Sequence, residues 1–261
     1  MTRERRVTDV LKGIGIDSMN SGTSDGRGWL ASPHGAVLHS HDPTTGDLIA
    51  SVRATTATEY QEVVRRAQKA SRDWREVPAP KRAELIRDVG TVLSERKELL
   101  SELIAIEMGK TVREAAGEIG ECEHMCAIAE GLARQLGGLP MQSERPKHRM
   151  MEQYHPLGIV GIFSAFNFPV AVLFWNRVLA LLCGNVDIWK PSSLTPLVSI
   201  AIQKMWNEVA QAHDQHHLSS LVIRSGSTVG TWMLEDHRIP LVSFTGSTET
   251  GRLVAQTVSK R

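Results

Sequence analysis

The 261-residue sequence has little cysteine, no excess of one charge and no long apolar run. Its 3 cysteines are too few for the disulfide framework of a small secreted protein and fit a reducing compartment. The 30 Lys and Arg residues balance 29 Asp and Glu residues, so neither a basic field for nucleic acid nor an acidic tail is indicated. We therefore expect small-molecule or protein partners and no nucleic acid.

Two stretches come nearest to a targeting or membrane signal, and both lack the defining features. The N-terminal MTRERRVTDVLKGIG is basic, but no apolar core precedes a small-residue cleavage site. The most apolar stretch, residues 169–183, is interrupted by Asn176 and Arg177 and is short for a membrane span. These features predict a soluble, cytoplasmic protein without a membrane segment.

The first half of the chain predicts an arm, a hairpin and packed helices. Residues 1–34 are rich in Gly, Ser, Asn and Asp after residue 12, which favours an irregular arm over an opening helix. Turn residues within HDPTTGDLIASV separate two strand-like runs, which predicts a hairpin. From Thr58 onward apolar residues recur at helical spacing, Gly109 ends one helix as a C-cap, and a further helix runs from about Val112 to Leu136. Residues 35–138 thus form a hairpin-and-helix segment.

The second half predicts an α/β segment reached through an extended connection. Residues 139–156 are polar, punctuated by prolines and without helical period, which indicates an extended, protruding ribbon. Across residues 157–261 the strand-like runs LGIVGIF, VDIWK, LSSLVI and LVSFTG alternate with helix-like runs. Such alternation is typical of a parallel sheet covered by helices. The predicted fold class is α/β, a Rossmann-like parallel sheet with flanking helices, preceded by a helical region.

Three loops would lie at the carboxyl ends of the predicted strands, where open parallel sheets bind ligands: SAFNFP, KPSS and FTGSTETG. In FTGSTETG, Gly246 permits a ligand to approach the backbone closely. Ser247 begins a helix, and either the N-terminus of this helix binds a pyrophosphate or Ser247 serves only as its N-cap. Lys190 ends a strand and either donates to ribose hydroxyls or extends its ammonium to solvent. The amide of Asn167 either satisfies its own turn or donates to an oxyanion.

Taken together, GIVGIFSAFNFPV, NVDIWKPSSLTPL and VSFTGSTETGRLV resemble the aldehyde dehydrogenase superfamily in motif, order and spacing, and are most similar to its antiquitin-like (aminoadipic semialdehyde dehydrogenase) group. The resemblance extends from about Gly35 to Arg261. It implies NAD(P)-dependent oxidation of a small-molecule aldehyde, a semialdehyde in that group, to a carboxylic acid. It also implies a homo-oligomer in which residues 139–156 are part of the oligomerisation ribbon.

The resemblance assigns roles to individual residues. Asn167 would be the catalytic donor to the oxyanion that forms when a cysteine thiolate attacks the aldehyde, with Phe166 and Phe168 packed beside it. Ser193 stands where many members carry a glutamate for the ribose 2′-hydroxyl, so NADP is possible beside NAD. The implied cofactor-binding residues are Ser164, Ala165, Phe166 and Asn167 at the nicotinamide ribose, Lys190, Ser192 and Ser193 at the adenosine ribose, Ser225 and Gly226 at the adenine, and Gly246 and Ser247 at the pyrophosphate.

Two family motifs do not occur in the 261 residues. The general-base glutamate belongs to a Glu-Leu-Gly-Gly motif and the nucleophile to a Gly-Gln-x-Cys motif, and the sequence ends at VSKR shortly before the first would be expected. We therefore expect an aldehyde dehydrogenase fold truncated before the catalytic domain. Two alternatives to an enzyme half remain: a non-catalytic dinucleotide-binding or oligomer-joining module that pairs with a separately encoded C-terminal half, and a non-functional fragment.

The chain's own cysteines and histidines predict no substitute nucleophile and no metal site. Cys122 and Cys126 fall on a predicted helix and Cys183 ends an apolar one, so we interpret all three as buried structural thiols. On a helix Cys122 and Cys126 share a face that His124 does not, and HDQHH lies in a polar loop.

Overall fold

The structure, a computed structural model, describes residues 3–31 and 33–261. The helices of this part are α1 (Arg3–Ile14), α2 (Ala57–Trp74), α3 (Ala79–Glu95), α4 (Lys97–Met108), α5 (Val112–Leu132), α6 (Ala171–Leu182), α7 (Pro196–Ala212), α8 (Thr231–Glu235) and α9 (Thr248–Val258). The strands are β1 (Met19–Ser21), β2 (Thr23–Ser24), β3 (Val37–His41), β4 (Leu48–Arg53), β5 (Pro140–Met141), β6 (Met150–Met151), β7 (Ile159–Phe163), β8 (Val186–Lys190), β9 (Ser219–Val222) and β10 (Leu241–Phe244). A π-helical turn, Gly226–Gly230, precedes α8.

A five-stranded sheet organises the second half of the chain, in the order β10–β7–β8–β9–β2. Strands β7 to β10 run parallel, and the short β2 pairs antiparallel with β9 at one edge. The chain steps from β7 to β8 to β9 and then returns to add β10 on the far side of β7. The strand order therefore reverses between β7 and β10, the position at which open α/β sheets bind ligands. The predicted α/β fold with a Rossmann-like parallel sheet is confirmed.

The helices that connect these strands are apolar because they are covered on two sides. Helix α6 carries AVLFWNRVLALL and is buried along most of its length, since it contacts β7 and β8 on one side and α3 and α5 on the other. Helix α7 similarly contacts β9, α3 and α4. Helices α3, α4 and α5 thus form an outer layer against the connecting helices, whereas α2 packs on the sheet itself. Side chains from the outer layer reach the loops at the sheet edge.

The predicted hairpin and helix boundaries are found near their expected positions. Strands β3 and β4 pair antiparallel around a turn in which Gly46 has a φ of 80°. Gly109 follows α4 with a φ of 88°, as expected of a left-handed C-cap. Helices α2 and α5 each begin with a capping box, formed by Thr56 and Glu59 and by Thr111 and Glu114. Helix α5 ends at Leu132 rather than near Leu136.

The prediction of an irregular arm over residues 1–34 was wrong for much of its length. Residues Arg3–Ile14 form α1, whose buried Val10 and partly buried Ile14 pack on the core while Arg6 pairs with Glu102 of α4. Strand β1 joins β4, and β2 joins the main sheet. Strands of two or three residues have too little alternation to be recognised from sequence, and it is their distant partners that order them.

Residues 139–156 contain a separate two-stranded antiparallel ribbon of β5 and β6. The residues of both strands are exposed, which agrees with the extended connection expected here. Its part in oligomerisation stays a prediction. Among the described residues, no helix combines the length and apolar character needed to cross a bilayer.

Candidate functional site

The loops singled out from the sequence follow four adjacent parallel strands and so meet at one edge of the sheet. Backbone hydrogen bonds tie the neighbouring strand ends together: Ser164 donates to the Lys190 carbonyl over 3.3 Å, and Thr245 donates to the Phe163 carbonyl over 3.1 Å. Asn167 follows β7, Lys190 ends β8, Ser225 follows β9 and Gly246 follows β10. The structure therefore brings the sequence-predicted residues to the carboxyl edge of the sheet, on both sides of the point where the strand order reverses.

Asn167 is exposed in the turn between β7 and α6. Within residues 3–31 and 33–261 its carboxamide makes no hydrogen bond to another protein group, so it does not satisfy its own turn. Its backbone carbonyl instead accepts a hydrogen bond from Lys110 Nζ over 2.8 Å. The side chain is thus free to donate to a ligand. Phe166 and Phe168, residues expected to pack beside this side chain, are about half exposed, at 46% and 41%, and the centre of the Phe168 ring lies 4.4 Å from Lys110 Nζ.

Two buried glutamates from the outer helical layer cap the connecting helices. Glu118 of α5 accepts from the backbone nitrogens of Val170 and Ala171, over 2.7 and 3.0 Å, where α6 begins. Glu107 of α4 accepts from Leu197 and Val198, over 2.8 and 2.7 Å, where α7 begins. Sequence analysis missed both. The sequence signal that could have indicated them is a glutamate on the apolar face of a helix. Glu118, for example, lies with the buried Ile119, Cys122 and Cys126 of α5.

The Glu107 carboxyl is fully buried and also accepts a hydrogen bond from Ser40 Oγ over 2.6 Å. Burial raises its pKa from 4.5 to about 7, although the hydrogen bonds from Ser40, Val198 and Leu197 oppose this rise. Glu107 therefore changes its protonation state near neutral pH at the junction of β3, α4 and α7.

The free energy of unfolding should decrease as pH rises, because the pKa of Glu107 is raised in the folded protein. Between pH 4.5 and about 7 the Glu107 carboxyl is deprotonated in the unfolded chain and protonated in the folded chain. The contribution of Glu107 to the free energy of unfolding is therefore complete below pH 4.5 and is lost as pH rises through the pKa of the folded state. The difference in unfolding free energy between wild type and Glu107→Gln should decrease by about 3 kcal/mol from pH 4.5 to pH 8. Urea titrations at each pH measure it, with Glu98→Gln, an exposed residue of the same helix, as control. A difference independent of pH would contradict the assignment.

Lys190 ends β8 with a buried side chain rather than one extended to solvent. Its Nζ donates to the carbonyl of the next residue, Pro191, over 2.9 Å, and burial lowers its pKa to about 8. One of the three ammonium donors is used in this way, which leaves capacity for a ligand. Ser192 and Ser193 follow in a partly buried loop, where Ser192 Oγ accepts from the backbone nitrogen of Leu194 over 3.2 Å.

Of the remaining predicted residues, Ser164 is buried and its hydroxyl accepts from Trp189 Nε1 over 2.8 Å, and Ala165 is partly buried. Ser225, Gly226, Gly246 and Ser247 lie in two loop segments that are partly or fully exposed. Ser225 Oγ lies 2.9 Å from the Thr228 hydroxyl, and Gly226 begins the π-helical turn. Ser247 N-caps α9 and accepts from the backbone nitrogen of Thr250 over 3.3 Å, so the plain capping role is present. A Cβ at Gly246 would lie 2.6 Å from the Phe244 ring, which gives this glycine a packing reason besides close approach to a ligand. Pyrophosphate binding by this segment stays a prediction.

The cysteines show one departure from expectation. Cys122 and Cys126 are buried in α5, and burial raises the pKa of both thiols, to about 12 for Cys126. Cys183 is exposed rather than buried because it follows the last turn of α6, where the covered surface of that helix ends. Within the described ranges no group of three or more His, Cys, Asp or Glu side chains could hold a metal ion. His213, from the HDQHH stretch, instead bonds Asp88 over 2.8 Å.

One cavity lies away from the sheet edge. It has a volume of about 600 Å³ and is lined by the ribbon residues Met151 and Tyr154 together with Arg82 and Cys183. The predicted site residues lie instead in loops that are largely exposed at the sheet edge. Their arrangement, and not a cavity volume, identifies the candidate site.

A parallel α/β sheet with these loops at its switch point defines a dinucleotide-binding type of domain. The family model described as the aldehyde dehydrogenase family matches residues 29–261, and the chain belongs to this family. It is 44% identical over 251 residues to aldehyde dehydrogenase family 7 member A1 of Pisum sativum, covering 96% of this chain and 49% of that relative. It is 40% identical over 251 residues to α-aminoadipic semialdehyde dehydrogenase of Bos taurus, covering 96% and 46%.

Solved structures of related proteins show the same fold. Lactaldehyde dehydrogenase from Escherichia coli is 26% identical with a TM-score of 0.87, and the match covers 94% of this chain and 50% of that one. A betaine aldehyde dehydrogenase from Staphylococcus aureus in complex with NAD+ is 25% identical with a TM-score of 0.89, and the match covers 97% and 49%. The chain spans about half the length of the relatives it matches.

Proposed function

We propose that this chain supplies the cofactor-binding half and the oxyanion amide of an NAD(P)-dependent aldehyde dehydrogenase. The observation that carries the proposal is the placement of Lys190 and Asn167 at the same sheet edge, each with donors that residues 3–31 and 33–261 do not use. Family membership and the NAD+ complex of the betaine aldehyde dehydrogenase support the choice of ligand. A semialdehyde is the proposed substrate because the Bos taurus relative is named for one.

The residues at this edge fit a nicotinamide dinucleotide. Lys190 would donate to the adenosine ribose hydroxyls, with Ser192 and Ser193 beside it, and Ser225 and Gly226 would border the adenine. The exposed N-terminus of α9, at Gly246 and Ser247, would face the pyrophosphate because unpaired backbone amides there favour an anion. Ser164, Ala165 and Phe166 would lie along the nicotinamide ribose. The bound cofactor supplies the hydride acceptor.

Asn167 would bind the carbonyl oxygen of the aldehyde and stabilise the negative charge that develops there. A neutral amide donates such a hydrogen bond without a change in its own protonation state. The cysteine nucleophile and the glutamate base would come from a C-terminal half, encoded together with this chain or separately. Residues 35–138 and 157–261 would then form the cofactor-binding domain, and residues 139–156 would join subunits into a cytoplasmic homo-oligomer.

A second candidate function is a non-catalytic dinucleotide-binding or oligomer-joining module. The observations that favour it are the exposed ribbon of β5 and β6, available to join subunits, and the Lys190 ammonium at the sheet edge, available to a dinucleotide. A dinucleotide-binding module would bind the nucleotide at the same edge as the enzyme half, and an oligomer-joining module would not require the nucleotide. Either module differs from the enzyme half in whether aldehyde-dependent NAD(P)H appears when a C-terminal half is added.

Calorimetric titration tests the nucleotide site. We expect NAD and NADP to bind with affinities within about tenfold of each other, because Ser193 offers no carboxylate to repel a 2′-phosphate, and Lys190→Ala to weaken both by about tenfold. Lys81→Ala, which removes an exposed lysine paired with Glu84, is the control and should bind normally. A preference for NAD well beyond tenfold, or an unchanged affinity in Lys190→Ala, would defeat the proposal.

A further inference from the structure

The turn that carries Asn167 is held from outside by an ion pair of the helical layer. Lys110 follows α4, and its Nζ donates to Glu118 Oε2 of α5 over 2.6 Å and to the Asn167 carbonyl over 2.8 Å. Glu118 Oε1 accepts from Val170 and Ala171, the first residues after the turn. One ion pair therefore fixes the backbone at Asn167 itself and again where α6 begins.

We propose that Lys110 and Glu118 are positioning residues for the Asn167 carboxamide, an inference that rests on the proposed role of Asn167 as oxyanion donor. Both contacts use backbone atoms of the turn, so they fix its conformation and leave the side-chain amide free. An oxyanion donor must lie within a few tenths of an ångström of its productive position, and a displacement of about 1 Å can lower a rate 100-fold. The turn itself provides little restraint because Phe166 and Phe168 are half exposed.

The burial of the pair makes it an effective restraint. The side chains of Lys110 and Glu118 are 10% and 1% exposed, and the ammonium lies 4.4 Å from the centre of the Phe168 ring. Hydrogen bonds between desolvated charged groups are stronger and more directional than those of exposed pairs. Lys97 and Glu123 form the contrasting pair on the same two helices, with side chains 35% and 23% exposed and no bond to the turn.

A second buried glutamate, Glu107, shows that a connecting helix can be capped without an ammonium. Glu107 caps α7 with one backbone amide on each carboxylate oxygen and takes its third hydrogen bond from the Ser40 hydroxyl. Glu118 caps α6 through Oε1 alone and leaves Oε2 to the ammonium of Lys110. A buried glutamate thus caps a connecting helix without a lysine. The ammonium of Lys110 is therefore not needed for the cap, and its distinct contribution is the bond to the Asn167 carbonyl.

Hydrogen–deuterium exchange of the 261-residue chain tests the inference, with Lys110→Met, Lys110→Arg and the control Lys97→Met. Loss of the charge-assisted bond in Lys110→Met should accelerate exchange of the amides between Phe166 and Ala171 by about tenfold. Lys110→Arg keeps a donor for both partners and should restore most of the protection. Glu118→Gln, close in shape to the native side chain, provides a second test if Lys110→Met unfolds, and should accelerate exchange at Val170 and Ala171.

A second readout reports on the Asn167 side chain itself. Its Nδ2 proton signals should shift towards the values of a disordered chain in Lys110→Met and remain unchanged in Lys97→Met. Equal effects of the two substitutions on exchange and on this signal, or no rescue by Lys110→Arg, would overturn the positioning role. Failure of the wild-type chain to bind NAD or NADP would instead refute the proposed function, and the exchange result would still decide whether the pair holds the turn.

Discussion

Asn167→Ala should lower the aldehyde-dependent rate by about 10²–10³ in a protein that joins this chain to a C-terminal half bearing the cysteine and glutamate motifs. The carboxamide is exposed at the sheet edge and has no protein partner within the described chain, so its removal costs the fold little. The loss would fall on the step in which negative charge develops on the substrate oxygen. It should therefore reduce kcat more than the affinity for the dinucleotide, which steady-state kinetics and calorimetry separate.

The 261-residue chain alone provides the control for this prediction. Without the nucleophile no oxyanion forms, so the chain should produce no aldehyde-dependent NAD(P)H, and Asn167→Ala should change nothing measurable. Turnover by the chain alone would show that the nucleophile has been misplaced. A fully active Asn167→Ala variant of the completed enzyme would show that this amide is only a turn residue.

The sheet and its loops were predictable because their signals are local. Strands β7 and β8 are buried along their length, Lys190 directly precedes Pro191, and Asn167 lies two residues before Pro169. The order of strand-like and helix-like runs then decides which loops meet. The position of the candidate site follows from this order and the rule for parallel sheets, without knowledge of any side-chain contact.

The supports of the site were not predictable, since each joins residues far apart in the chain. Glu118 and Val170 are separated by 52 positions, and Glu107 and Leu197 by 90. The helical periodicity of apolar residues does not indicate which helix N-terminus a buried carboxylate will contact. The same reason explains β2, whose two residues are ordered by pairing with β9 near the other end of the chain. The candidate site residues were predicted from the sequence, and the residues that hold them in place were not.

The strand that carries Lys190 depends on a fully buried ion pair. Asp187 of β8 accepts from Arg177 Nε over 3.0 Å and Nη2 over 2.9 Å, and from Ser219 Oγ over 2.7 Å. Both charged side chains are 0% exposed, and the guanidinium lies 5.0 Å from the centre of the Trp206 ring. Burial raises the pKa of Asp187, while the guanidinium lowers it. The attraction between Arg177 and Asp187 therefore offsets the large cost of desolvating both charges. Neither charge is stable in this position without the other.

Asp187→Ala should lower the free energy of unfolding by about 3–5 kcal/mol, because it leaves the Arg177 guanidinium buried without its counter-charge. Asp88→Ala, which removes a half-exposed carboxylate that contacts Arg87 and His213, should cost no more than about 1 kcal/mol. Urea titrations measure both. Replacing the pair together, as Arg177→Met with Asp187→Leu, should cost less than the sum of the single changes, since no unpaired charge remains. Additive losses, or a cost for Asp187→Ala no larger than that for Asp88→Ala, would mean that solvent or another group compensates Arg177 and that the pair does not secure the strand bearing Lys190.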